Sequence, residues 1–153
     1  MVFTPFTWQR FRESGGSTAG FRAGAWGRVQ RLGRGDILLA YVVNAGVFAG
    51  ALRVTGDAYW SDGTAIWDST EFPARIQVQL LAGLDPSNGI RLKHLVAELP
   101  RLKAASARAP GAWGNFVRGS PRAWPAAEAE VVLRALADHS TLSLVERSPL
   151  STS

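Results

Sequence analysis

The chain contains no cysteine, and in its 153 residues only two lysines, two histidines and one methionine. Without cysteine there is no disulfide, no thiolate nucleophile and no Cys-based zinc site. The two histidines, His94 and His139, fall on separate predicted helices, so no metal centre is expected from them. Ser120, in "RGSPR", lacks the G-x-S-x-G elbow of a hydrolase nucleophile. "GRGD" at 33–36 lacks the Lys-Ser/Thr continuation of a phosphate-binding loop and reads as a turn feeding a strand. Asp57, Asp62, Asp68 and Glu71 fit no calcium-loop spacing. No apolar run approaches the ~20 residues of a bilayer span, and "MVFTPFTWQRF" lacks the layout of a signal peptide. The expectation is a cytoplasmic protein that binds rather than catalyses, without metal or cofactor.

Arginine and tryptophan are abundant. Arginine supplies 15 of the 17 basic residues, against 12 acids, for a net charge of +5. Six arginines and one acid lie between Arg10 and Arg34, whereas 57–71 holds four acids and no base. A basic face of this kind attracts phosphates. Six tryptophans are many for this length, and Trp60, Trp67 and Trp113 fall in predicted loops, with Trp124 at a helix start. Loops of a small domain lie at the surface, where aromatic rings either cap the core or meet a ligand.

Thr4-Pro5 has the form of an N-cap and first helical residue, with Trp8 and Phe11 following on one face and Gly15-Gly16 as the stop. Trp26, Val29 and Leu32 predict a second short helix. "DILLAYVV", the "NAG" turn and "VFAGALRVTG" predict a hairpin over 37–55. "RIQVQLL" alternates as a half-buried strand does. Helices are expected from Ile90 to Leu99 and from Pro125 to about Asp138, with "NFVRG" as a short strand between them. Residues 1–139 then form one domain, and 140–153 a loosely ordered tail. The element order predicts an α+β fold around a small, curled, mainly antiparallel sheet.

The stretch from Gly35 to Gln79 carries an ordered set of features. These are Gly35-Asp36, Tyr41, Phe48-Ala49-Gly50, Val54-Thr55, Ile66-Trp67-Asp68, Phe72-Pro73 and Arg75-Ile76. "WGNFVRGSPR" from Trp113 and, upstream, Thr4-Pro5, Thr7-Trp8 and Gly20-Phe21-Arg22 extend it over roughly 1–137. In this pattern the chain resembles the EVE domain family of the PUA-like superfamily, relatives of the YTH readers of methylated RNA. The family's apolar, Trp-containing first strand is clipped here to Met1-Val2-Phe3, and "GGSTAGFR" stands where such readers place one cage tryptophan.

The resemblance implies a barrel-like sheet with a pocket for a flipped, modified base, in DNA or RNA, on a protein expected to be a monomer. Trp67 is then one wall, pointing across the sheet mouth, with Phe21 or Trp26 opposite and Trp60 nearby. Ser17, Thr18, Asp68 and Asn115 are the candidates for hydrogen bonds to the base edge. Arg22, Arg28, Arg31 and Arg118 are the candidates for phosphate contacts. An RNA-processing enzyme of PUA-like fold, or a small-molecule-binding domain, is the alternative reading.

Overall fold

Helix α1 (Pro5–Glu13) starts where the sequence places it. Thr4 and Thr7 form a reciprocal capping box, and Ser14 ends the helix before Gly15 and Gly16, both at positive φ. Trp8 and Phe11 are buried on its inner face. The computed structural model describes residues 1–95, 98–99, 121 and 126–147. The expected strand at "NFVRG", and Trp113, Asn115, Arg118, Ser120 and Trp124, lie outside the described residues.

Seven strands form one sheet: β1 (Val2–Phe3), β2 (Thr18–Phe21), β3 (Ile37–Val42), β4 (Val47–Val54), β5 (Tyr59–Trp60), β6 (Ala74–Gly83) and β7 (Ile90–Arg91). The central path runs β1-β3-β4-β6-β2. All pairings are antiparallel except β1 with β3, where Val2 lies opposite Tyr41. The residues expected to be a clipped strand therefore still pair. β6 is the hub. Its second half pairs with β4, while Ala74 and Arg75 at its start lie between β2 on one side and β5 on the other. Register shifts at Ala40/Tyr41 and Ala51/Leu52 bend the central hairpin, and the sheet curls into a half-barrel. This is the α+β architecture around a curled, mainly antiparallel sheet that the sequence predicts.

Both sheet faces are covered, so β3 and β4 are apolar almost without interruption. Leu38, Ala40, Val42, Leu52 and Val54 join Phe3, Trp8, Phe11 and Val29 beneath α1 and α2 (Trp26–Gln30). Leu39, Phe48 and Ala51 join Leu95, Val132 and Leu136 beneath α3 (Leu92–Leu95) and α4 (Ala126–Arg147). The fold needs Gly50. A Cβ there would sit 2.5 Å from Trp8 Cη2 and 2.6 Å from the Ala82 carbonyl. Trp8 in turn donates from Nε1 to the Leu84 carbonyl at 2.8 Å.

Four details differ from the sequence reading. Ile90–Arg91, expected to open a helix running to Leu99, is strand β7 paired with β4, and the helix α3 starts only at Leu92. Trp60 lies on strand β5 rather than in a loop. Thr18–Phe21, assigned no element from sequence, is strand β2. α4 continues to Arg147, past the boundary expected near Asp138 and into the expected tail. Among the described residues no helix is long and apolar enough to cross a membrane.

Candidate functional site

The segment between β5 and β6 is built around a two-residue hairpin. Ile66 and Ser69 exchange backbone hydrogen bonds of 2.9 and 3.0 Å. The two residues between them, Trp67 and Asp68, have φ of 54° and 62°. That is a type I′ turn, which favours Asn-Gly or Asp-Gly because both central residues need positive φ. A tryptophan there is a conformational outlier. Left-handed backbone at a non-glycine residue costs about 1–3 kcal/mol.

The fold offsets that cost by burial. Trp67 is 7% exposed, packed against the rings of Phe3, Phe11 and Phe72 at centroid distances of 5.5, 6.1 and 5.2 Å. Its ring therefore lies in the core, and the expected orientation across the sheet mouth is corrected. The I′ turn aims the side chain inward, and three phenyl rings provide an apolar nest. Among the described residues its buried Nε1–H has no hydrogen-bond partner, an unmet donor worth about 1–3 kcal/mol of desolvation.

Arg75 fastens this segment. It is 6% exposed at the start of β6. Its Nε donates to the Phe72 carbonyl at 3.0 Å, Nη1 to Ser61 Oγ at 3.2 Å, and Nη2 to the Thr64 carbonyl. One guanidinium thus ties three points of the segment that carries Trp67. All three acceptors are neutral. Sequence reasoning noted Arg75 only as part of a motif, because nothing in a sequence distinguishes a buried arginine from the other fourteen.

Outside this nest lies a groove of about 490 Å³. It is lined by Gly20, Phe21 and Arg22 of β2 and its exit, by Thr4 and Thr7 of the capping box, and by Arg28 and Phe72. Gly20 lets Phe72 approach, since a Cβ there would lie 3.0 Å from the Phe72 Cβ. The Arg22 guanidinium lies over the Phe72 ring at 5.5 Å and pairs with Glu71 at 3.3 Å. Phe72 and the two threonines are site-lining residues missed from sequence. The Phe72-Pro73 pair was the available signal, since proline fixes the backbone before it.

The remaining candidates are spread around this centre. Trp26 and Trp60 make an edge-to-face pair at 5.5 Å, with Trp60 44% exposed. The rings that touch Trp67 include neither Trp26 nor Phe21. Phe21 lines the groove; Trp26 does not. Asp68 is taken up by Arg10 at 2.5 Å. Ser17 is exposed, its carbonyl accepting from Val78 N, and Thr18 is half-buried opposite Gln77. Arg31 is exposed on the exit of α2. Three acids of 57–71 meet the basic stretch: Asp57 with Arg34 at 3.7 Å, Asp68 with Arg10, Glu71 with Arg22. The two charge blocks of the sequence therefore face each other, and the basic face is smaller than the sequence suggests. Among the described residues no group of three metal-ligating side chains occurs.

No family model and no curated protein matches the chain. Solved structures do. The NMR structure of Rpa0253 from Rhodopseudomonas palustris superposes with a TM-score of 0.58 at 19% identity, over 90% of each chain. The YTH domain of Zygosaccharomyces rouxii MRB1, solved in complex with N6-methyladenosine RNA, gives 0.60 at 16% identity, over 88% of this chain and 84% of that one. The Pho92 YTH domain in complex with m6A gives 0.60 at 14%, over 88% and 80%. The fold is that of the YTH domains, a PUA-like fold.

Proposed function

We propose that the protein is a non-catalytic nucleic-acid-binding domain of EVE type that reads a modified, flipped base. The observation that carries this reading is Trp67. A bulky residue is kept in left-handed backbone with a buried, unpartnered N–H, and it lies directly behind an arginine-rimmed aromatic groove. Backbone strain and an unmet donor at one residue are costs that a purely structural site sheds easily. The YTH neighbours, one solved in complex with N6-methyladenosine RNA and the other in complex with m6A, support the same reading through a shared fold.

In this reading the base enters between Phe21 and Phe72, with Trp67 as the inner wall behind Phe72. Stacking on an aromatic ring contributes about 1–3 kcal/mol per base. A methyl group in the apolar inner end adds roughly 0.8 kcal/mol by burial. Arg22 and Arg28 hold the flanking phosphates, and Arg22 can exchange its exposed Glu71 partner for one because such pairs contribute only about 0–1 kcal/mol. The Trp67 Nε1–H does not line the groove as it stands; in this reading Phe72 moves aside as the base enters, and the N–H then meets an acceptor on the base.

The test is a binding screen over matched oligonucleotides, DNA and RNA, each modified base against its unmodified control. One modified strand is expected to bind preferentially, with affinity falling as salt rises. Trp67→Phe keeps a ring in the nest and removes the N–H. It is expected to leave the melting temperature level or higher and to weaken preference for the modified strand by about 1–2 kcal/mol. Absence of binding to every strand at low salt would overturn the reading.

A further inference from the structure

His94 and His139 are distant in sequence, yet the fold brings them to one cavity. It measures about 410 Å³ and lies between β7, α3 and α4, on the side of the sheet away from the groove. Arg91 and Ser87 share its lining. His139 lies one helical turn beyond Ala135, which also lines the cavity, so the register of α4 directs both residues there.

We propose that this cavity is an anion site that accepts a phosphate group. The Arg91 guanidinium is permanently charged and presents a donor fork matched to phosphate oxygens. Each imidazole offers at least one N–H donor in either protonation state. Two imidazoles alone would equally suit a transition metal. The pocket is open and Arg91, His94 and Ser87 are exposed in it; Arg91 still decides between the two, because a fixed positive charge beside the imidazoles disfavours a divalent cation and attracts an anion, though solvent screens the effect.

Two acids stand near. Asp85 accepts from the Ser87 backbone N at 3.0 Å and from Ser87 Oγ at 2.7 Å, which holds its Oδ1 on Ser87. Asp138 precedes His139 but is exposed and sits about 100° around the helix from it. Lys93 on α3 adds a further exposed positive charge. Arg91 and Lys93 balance Asp85 and Asp138 in formal charge, so the preference for an anion rests on the donor groups that line the pocket, Arg91 and the two imidazoles. The ligand chemistry is a phosphate oxyanion, either free or at a nucleic-acid 5′ terminus, whose second negative charge suits this cluster better than a chain phosphodiester.

The test uses the full chain and follows the imidazole NMR signals of His94 and His139. Inorganic phosphate is titrated at constant ionic strength against chloride. Saturable shifts of both rings are expected, weakened roughly tenfold or more in Arg91→Gln, as loss of a charged hydrogen bond predicts. If Arg91→Gln disturbs the amide spectrum, the same weakening is read in His139→Gln. A 5′-phosphorylated dinucleotide that competes where its 5′-hydroxyl counterpart does not assigns the site to a nucleic-acid end. Competition by inorganic phosphate alone assigns it to the free anion. Shifts that follow chloride equally overturn the proposal. So does stoichiometric binding of Zn²⁺ that shifts both rings while phosphate leaves them unmoved.

Discussion

A single side chain, Trp67, carries costs that its surroundings must repay. Since its ring fills the nest of Phe3, Phe11 and Phe72, Trp67→Ala is expected to lower stability by about 3–5 kcal/mol, read as a fall in thermal or denaturant midpoint. Loss of binding in that variant therefore says little, which is why Trp67→Phe is the informative change. Arg75→Met deletes three hydrogen bonds to the segment from Ser61 to Phe72. It is expected to increase amide hydrogen exchange there while β3 and β4 stay protected; equal exchange in variant and parent would show that Arg75 does not fasten the segment. Gly50→Ala drives a methyl into Trp8 and the Ala82 carbonyl and is expected to cost about 1–3 kcal/mol by overpacking, measurable by urea denaturation. The sequence marks Gly50 and Trp67 as parts of a pattern. It does not reveal why either is needed, because the reasons are contacts with Ala82 and Phe3, each far along the chain.

Among the elements, those with a long period or a chemical stop are legible and those without are not. Thr4-Pro5 announces α1, and "NAG" announces the turn between β3 and β4. β1, β2 and β5 have two, four and two residues, too few for alternation to register, and only pairing with β3 or β6 makes them strands. β1 has a further property. The Met1 ammonium is buried and donates to the Leu39 carbonyl at 2.9 Å, and burial lowers its pKa from 8.0 to about 5. Between those values the unfolded chain binds a proton that the folded chain refuses. Stability is therefore expected to rise as pH increases from about 5 to about 8, and to be lost in the reverse direction. Chemical denaturation across that window measures it. Acetylating the amine removes the charge, and the slope is expected to flatten; a slope that survives would place its origin elsewhere.

At the scale of the whole molecule, charge is arranged by the fold rather than by the sequence. The basic stretch and the acidic segment neutralise each other at Arg10–Asp68, Arg22–Glu71 and Arg34–Asp57. Net charge and charge blocks are legible in sequence; their juxtaposition is not. Arg28→Ala with Arg31→Ala is expected to weaken modified and unmodified strands alike and to reduce the salt slope by up to about 2. Glu71→Gln frees Arg22 and is expected to strengthen binding modestly, most visibly at low salt. Titrations at several salt concentrations check both, and a changed base preference with an unchanged slope would refute the phosphate assignment.

The position of β2 sets an order of assembly. β3 and β4 are neighbours in the chain and close over a short turn, and β6 follows β4 after a single excursion. β2 must wait, because Gly20 meets Arg75 and Phe21 meets Ala74 only after the whole intervening chain has been placed. Long-range closure of this kind is entropically slow. Phe21 and Arg22 arrive with β2, so the groove is expected to form only after the β3–β4–β6 core. A stopped-flow refolding experiment is expected to show recovery of ligand binding lagging behind the burial of Leu52 and its neighbours, and a chain still emerging from the ribosome would remain unable to bind until β6 was out.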